Sequence, residues 1–268
     1  MQVIDAWVNF RMPETPAAWQ QQVAEQLFKR SAGEVFRKMS GAELLEQMDA
    51  SSIERAILTV RADRPSKEVL ALAEQHPHRF AVSAIVDPRL GMKAVRDVDA
   101  LARQHPLKLA RVIPSMLSLP PDDRVYYPLY ARCVDLGLPI SVNTGIPGPR
   151  LPGRCQDPMN LDEVCLFFPE LTVIMAHGAD PWWAVAIRLM LKYSNLYLMT
   201  SAYAPRYLPA ELIQYMNTRG RDKVMFATDF PFLPFERCVA EAHALDLRDG
   251  VLEQFLHANA ARVLLGQS

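Results

Sequence analysis

Residues 171–181 read LTVIMAHGADP, and this stretch decides the fold. An unbroken apolar run, centred on Val173, Ile174, Met175 and Ala176, ends at His177-Gly178, and Asp180-Pro181 follows as a helix start. A run of this length between turn residues suits a strand buried on both faces, as in a parallel sheet. The imidazole of His177 then stands at the C-terminal end of the strand, where barrel enzymes carry their chemistry. A lone His in that position reads first as a satisfied polar group. Its significance depends on what else stands beside it.

Further strands are expected over 3–8, 55–60, 80–86, 107–113 and 139–143 ahead of this stretch, and over 196–199 and 224–227 behind it. Helical stretches fall between them, at 16–30, 40–48, 66–75, 91–104, 124–136, 161–168, 181–193 and 209–218, with two more closing the chain. Ser40 with Glu43 has the spacing of a capping box, and Ser66 is a second N-cap. The triplet Gln-His-Pro occurs at 75–77 and again at 104–106, each time stopping a helix before a strand. From the second strand on, strand starts recur every 24–33 residues or so. Eight such units in about 250 residues predict a single-domain (β/α)8 TIM barrel over 1–268, with a helical insertion at about 11–39. The rival, an open doubly wound sheet, would show a glycine-rich turn after its first strand. Residues 8–11, VNFR, are not one.

The totals narrow the function classes. Half of the 268 residues are apolar, enough for a large core, and 29 Lys and Arg stand against 30 Asp and Glu. Without a basic stripe, nucleic acid is not an expected partner. No apolar stretch approaches the ~20 residues of a membrane span. The N-terminus has no basic region before its apolar run, so no signal peptide is expected. Cys133, Cys155, Cys165 and Cys238 lack metal or redox spacing and read as reduced thiols of a cytoplasmic protein.

In a barrel, the residues at the strand ends share one mouth. These are Trp7 and Asn9, Arg61, Asp87, Arg111, Asn143, His177, Thr200 and Asp229. A carboxylate and an imidazole at one mouth, with two amides and two guanidiniums, make an acid/base site for a small anionic molecule. Each residue also has a plainer reading. Trp7 is either barrel filling or a platform for a flat substrate, and Asn9 and Asn143 either meet substrate or pair with each other. Arg61 and Arg111 suit a bidentate grip on a carboxylate, although Arg111, inside a strand, equally needs a buried anionic partner. The proline-rich loop at 144–159 and the excursion at 11–39 both leave from strand tops and are expected near the mouth.

These motifs resemble the amidohydrolase superfamily, in the branch of aminocarboxymuconate-semialdehyde decarboxylase, the resorcylate decarboxylases and pyrone dicarboxylate lactonase. The resemblance spans the chain and rests on Val3-Ile4-Asp5, His177-Gly178 with Pro181-Trp182, Thr228-Asp229-Phe230-Pro231 and Asn259-Ala260-Ala261-Arg262. It implies the barrel and a homodimer. The sequence departs from the family at the metal ligands: the His-x-His positions hold Trp7 and Asn9, and the His after strand five is Asn143. Only His177 and Asp229 of that set remain. Because zinc wants four N, S or O donors, or three plus water, no cofactor is expected. The alternative is Mg2+ or Mn2+ held by oxygens of Asn9, Asn143 and Asp229.

Three functions follow from this reading. The first is hydrolysis of a carboxylated lactone or similar activated carbonyl, with Asp229 as base, His177 as proton or hydrogen-bond donor, and Trp7, Asn9, Arg61, Arg111 and Asn143 binding substrate. The second, also present in the family, is non-oxidative decarboxylation of a carboxylated aromatic or muconate-type compound. The third is small-molecule binding without catalysis.

Overall fold

The structure, a computed structural model, describes residues 1–10 and 15–267. The first four positions of the expected insertion, 11–14, therefore lie outside the described residues. Eight parallel strands are ordered β1 to β8 as they occur in the chain. They are β1 (Val3–Val8), β2 (Ile53–Arg61), β3 (Phe80–Ile85), β4 (Leu107–Val112), β5 (Ile140–Asn143), β6 (Val173–Ala176), β7 (Leu196–Met199) and β8 (Val224–Met225). A parallel bridge from Val8 to Phe230 joins the first strand to the chain beyond the last and closes the barrel. Two backbone bonds, Asp229 N–H to Trp7 O at 3.0 Å and Asn9 N–H to Phe230 O at 2.8 Å, hold the same seam.

Two apolar layers follow from the strand pattern. Ile4, Ile57, Ala81, Leu109, Ile174, Ala176, Met199 and Met225 fill the barrel, while the opposite strand faces pack on the surrounding helices. Burial on both faces is why the strands read as apolar runs rather than as alternation. The expected caps form. Ser40 and Glu43 make a complete capping box at the start of a helix over Gly41–Ala50, and Ser66 caps Lys67–Gln75. The eighth strand is shorter than its sequence suggests: regular pairing ends at Met225, and although the Phe226 carbonyl still accepts the Ala6 N–H, the chain then turns through a left-handed Asp229, φ 68°.

The insertion carries α1 (Ala18–Gln22), one π-helical turn (Val23–Leu27) and α2 (Ala32–Val35). Its Phe28 and Phe36 rings pack on Phe232, just beyond Asp229, with centroids 5.1 and 5.9 Å away. Arg30 donates to the carbonyl of Pro231. On its other flank, Trp19, Gln22 and Leu27 border Gly148, Pro149 and Arg150 of the loop after β5. The insertion thus spans the mouth between the β5 and β8 loops. No helix among the described residues is long and apolar enough to cross a membrane.

Candidate active site

Asp229 is the buried acid of the mouth. It is 8% exposed and accepts a hydrogen bond from the Asn9 side-chain amide at 2.8 Å. Burial pushes its pKa up to about 7, against the opposing pull of the Asn9 bond and the Arg111 charge. The carboxyl is therefore shared between acid and base forms near neutral pH. Asn9 spends its remaining amide hydrogen on the Phe230 carbonyl, 3.1 Å away. It is thus partnered across the β1–β8 seam and not with Asn143.

Behind Asp229 lies a second buried carboxyl. Asp5 accepts the backbone N–H groups of Trp7 and Thr228 at 3.0 and 3.1 Å and the Thr228 hydroxyl at 2.6 Å. The Thr228 hydroxyl in turn accepts the Phe230 N–H at 2.9 Å. Residues 228–230 are therefore locked from both sides of Asp229, and Asp5 is what locks them. Burial raises the pKa of Asp5 to about 6 despite these bonds.

His177 follows β6 in a left-handed conformation, φ 64°, with Gly178 left-handed after it, φ 69°. A Cβ at position 178 would stand 2.5 Å from the Trp183 ring, so glycine is required for space as well as for φ. His177 takes its partners from Ser201, whose oxygen is 3.1 Å from the His177 backbone nitrogen and 2.8 Å from Nδ1. Its imidazole lies against the Trp7 ring, centroids 4.4 Å apart. Burial and the Arg111 charge pull its pKa down to about 3, so the ring is neutral at physiological pH.

The guanidinium of Arg111 sits 3.6 Å from the centre of the Trp7 ring. It has no exposed surface and crosses the barrel interior, donating to Ser83 Oγ at 2.6 Å and to the Ala6 carbonyl at 2.7 Å. Arg111 was expected at the mouth, but the structure places it inside the barrel. Leu109 fills the barrel interior, and two residues further along β4 Arg111 projects to the same side. Arg61 stays outside, paired with Asp63 at 3.0 and 3.2 Å with its side chain 43% exposed. Asn143 and Trp7 complete the set at 5% and 3% exposure. Among the described residues neither Asn143 Oδ1 nor Trp7 Nε1 has a partner.

Trp7, Asn9, Arg111, His177 and Asp229 are thus joined by direct contacts or close electrostatic coupling. Asn143 ends β5 in register with Ala176, next to His177, and Arg61 stands apart. Asp5 and Ser201 are the functional residues that the sequence reading passed over. Asp5 was legible only as part of a strand-opening motif. Ser201 directly follows Thr200, the residue read as the strand end.

The amidohydrolase family profile matches residues 4–265. No curated protein sequence matches the chain. Among solved structures it is similar to an uncharacterized TIM-barrel protein, Bb4693, from Bordetella bronchiseptica, at 25% identity, with 99% of each chain covered and a TM-score of 0.82. It is also similar to 5-carboxyvanillate decarboxylase from Novosphingobium aromaticivorans, complexed with manganese and 4-hydroxy-3-methoxy-5-nitrobenzoic acid. There the identity is 16%, the coverage 98% of this chain and 96% of that one, and the TM-score 0.72. A dihydroxybenzoic acid decarboxylase from Polaromonas, with bound manganese and 2-nitroresorcinol, aligns at 17% identity over 100% of this chain and 98% of that one, TM-score 0.71. At such identities the two decarboxylases show a shared fold.

They also correct one expectation. Absence of a cofactor was inferred from the missing His-x-His pair, yet structures with this barrel are complexed with manganese. Manganese therefore occurs in barrels of this fold, and the expectation of no cofactor is not upheld. The donors of this chain are a separate matter. Among the described residues no group of three or more His, Cys, Asp or Glu side chains converges. At Asp229 the Asn9 amide presents its N–H rather than its oxygen, and Trp7 and the Arg111 cation lie against each other beside His177.

Proposed function

Because this chain belongs to the amidohydrolase family, we propose that it is a carboxy-lyase, releasing CO2 from a small carboxylated aromatic or muconate-type compound with Asp229 as the proton donor. The observation that carries the reading is a buried carboxyl at the barrel mouth, Asp229, held by Asn9 at 2.8 Å, whose pKa burial raises to about 7, so that part of it is protonated near neutral pH. In the reaction the Asp229 proton is delivered to the carbon that bears the carboxylate. The electrons of the bond to the carboxyl carbon then return to the unsaturated system, and CO2 departs. Asp229, left as carboxylate, regains a proton from water. Two of the similar structures are decarboxylases of carboxylated phenols, which supports this order of preference over lactone hydrolysis. Trp7 offers the substrate an unpartnered indole N–H, and Asn143 a free acceptor.

The two chemistries demand opposite forms of Asp229, and this decides between them. A proton donor must start protonated, so kcat/KM should fall about tenfold per pH unit above a pKa near 7. A general base for lactone hydrolysis must start ionised, so the rate would fall below that pKa instead. The measurement is turnover of a panel of hydroxybenzoic acids, muconate-type acids and lactones across pH, with and without added manganese. CO2 release that is lost on the acid side, or hydrolysis of lactones alone, would overturn the proposal. Binding without turnover of any panel member would leave a binding protein.

A further inference from the structure

Ser201 follows β7 and has no exposed surface. Its hydroxyl accepts the backbone N–H of His177 at 3.1 Å and lies 2.8 Å from Nδ1 of the same residue. A hydroxyl has one hydrogen to donate and two lone pairs with which to accept. One lone pair is taken by the His177 backbone. If Nδ1 carried a proton, the second lone pair would be taken as well, and the hydroxyl hydrogen would need another acceptor. Among the described residues the Ser201 hydroxyl has no other hydrogen-bond partner, and a buried donor left unmet costs about 1–3 kcal/mol. The arrangement that satisfies every atom has the Ser201 hydroxyl donating to a bare Nδ1.

We propose that Ser201 is a positioning residue that fixes His177 as the Nε2–H tautomer, so that the imidazole meets substrate as a neutral N–H donor. The step from tautomer to substrate rests on the reading of the mouth as a substrate site. Such a donor is complementary to an oxygen that bears charge and no proton, a carboxylate or phenolate oxygen, and it offers nothing to a substrate hydroxyl seeking an acceptor. The surroundings point the same way. The Trp7 ring in contact with His177 carries a second unpaired N–H, and the Arg111 cation lies against that ring. His177 is thereby a hydrogen-bond donor to the substrate anion, while proton delivery belongs to Asp229.

Heteronuclear NMR of the nitrogen-15-labelled full chain, without ligand at neutral pH, tests the tautomer directly. The His177 signals are assigned by their loss in His177→Gln. Nδ1 is expected in the range of an unprotonated ring nitrogen and Nε2 in that of a protonated one. In Ser201→Ala both signals should move towards values averaged over two tautomers, whereas Ser201→Thr, which keeps the hydroxyl, should retain the wild-type pattern. A protonated Nδ1 in the wild type, or unmoved signals in Ser201→Ala, overturns the proposal. Should Ser201→Ala fail to fold, the wild-type spectrum decides alone. The spectrum needs no substrate, so a protein that shows the expected tautomer yet decarboxylates nothing would sink the functional reading and leave this one standing.

Discussion

The two sides of the barrel mouth are built on opposite principles. Along the β1–β8 seam the polar side chains that surround Asp229 are partnered. Asn9 binds Asp229 and Phe230, Asp5 binds Trp7 and Thr228, and Thr228 binds Phe230. Around Trp7 and the end of β5, Trp7 Nε1 and Asn143 Oδ1 are buried without partners. Buried polar groups are nearly always satisfied, so an exception asks for an explanation. The two patterns suit different tasks. A proton donor must be held in one place with a tuned pKa, and a fully bonded frame does that. A surface that receives a substrate group must keep hydrogen-bonding capacity in reserve, and satisfying it internally would remove its use.

The largest effect expected from this contrast is at Asp229 itself. Asp229→Asn keeps the shape and can keep the contact with Asn9 after an amide turn, but it has no carboxyl proton to give. It is expected to lower kcat by ~10²–10⁴, the usual contribution of a placed acid or base, while substrate affinity survives. Steady-state kinetics beside direct binding measurements would check it. An equal loss of affinity and turnover would mean that the bonded seam binds substrate, and the contrast would break.

Much of this architecture was legible in the sequence, and what was not follows one physical pattern. The barrel could be read because strands buried on both faces must be apolar throughout, and because N-caps such as Ser40 and Ser66 mark helix starts whatever the tertiary context. His177 and Asp229 could be placed at the mouth because each ends an apolar run. Side-chain direction past a strand end could not be read. Both residues turn through left-handed backbone, φ 64° and 68°, and nothing in an apolar periodicity encodes such a turn. Arg111 shows the same limit from inside a strand. Position alone allowed it to clamp a substrate, whereas its inward side meets Ser83 and Ala6. The bond from Asn9 to Asp229 joins residues 220 positions apart, a pairing that only barrel closure creates.

The next effect in size tests the frame behind Asp229. Asp5→Ala strands the Thr228 hydroxyl and the backbone N–H groups of Trp7 and Thr228, all buried. A stranded donor costs about 1–3 kcal/mol, and with partial relaxation the total loss of unfolding free energy is expected at about 2–4 kcal/mol. The pH dependence adds a sign. The pKa of Asp5 is raised to about 6 in the fold from a usual 3.8, so its contribution to stability is fullest below the unfolded value and is lost as pH rises through about 6. Removing Asp5 should therefore flatten the stability curve between about pH 4 and 6. Denaturant melts of both proteins across that window would show it, and an unchanged slope would mean that Asp5 does not titrate as its burial implies.

The smallest effect falls on the open side and is the sharper test for that reason. Trp7→Phe keeps a ring between Arg111 and His177 but deletes the unpaired N–H. Its stability should fall only modestly, because the loss of part of a desolvated cation–π contact, worth about 2 kcal/mol in full, is partly offset by removal of a buried donor that had no partner. Affinity for the best-bound acid of the substrate panel should fall by about 0.5–1.5 kcal/mol, the net value of one hydrogen bond. The side chains around Asp229 could not behave so, since Asn9, Asp5 and Thr228 already have their partners in the free protein. Calorimetric unfolding and titration on one preparation would separate the two quantities. A stability loss of ~2 kcal/mol or more with unchanged affinity would show that Trp7 serves the barrel rather than the ligand, and both sides of the mouth would then be frame.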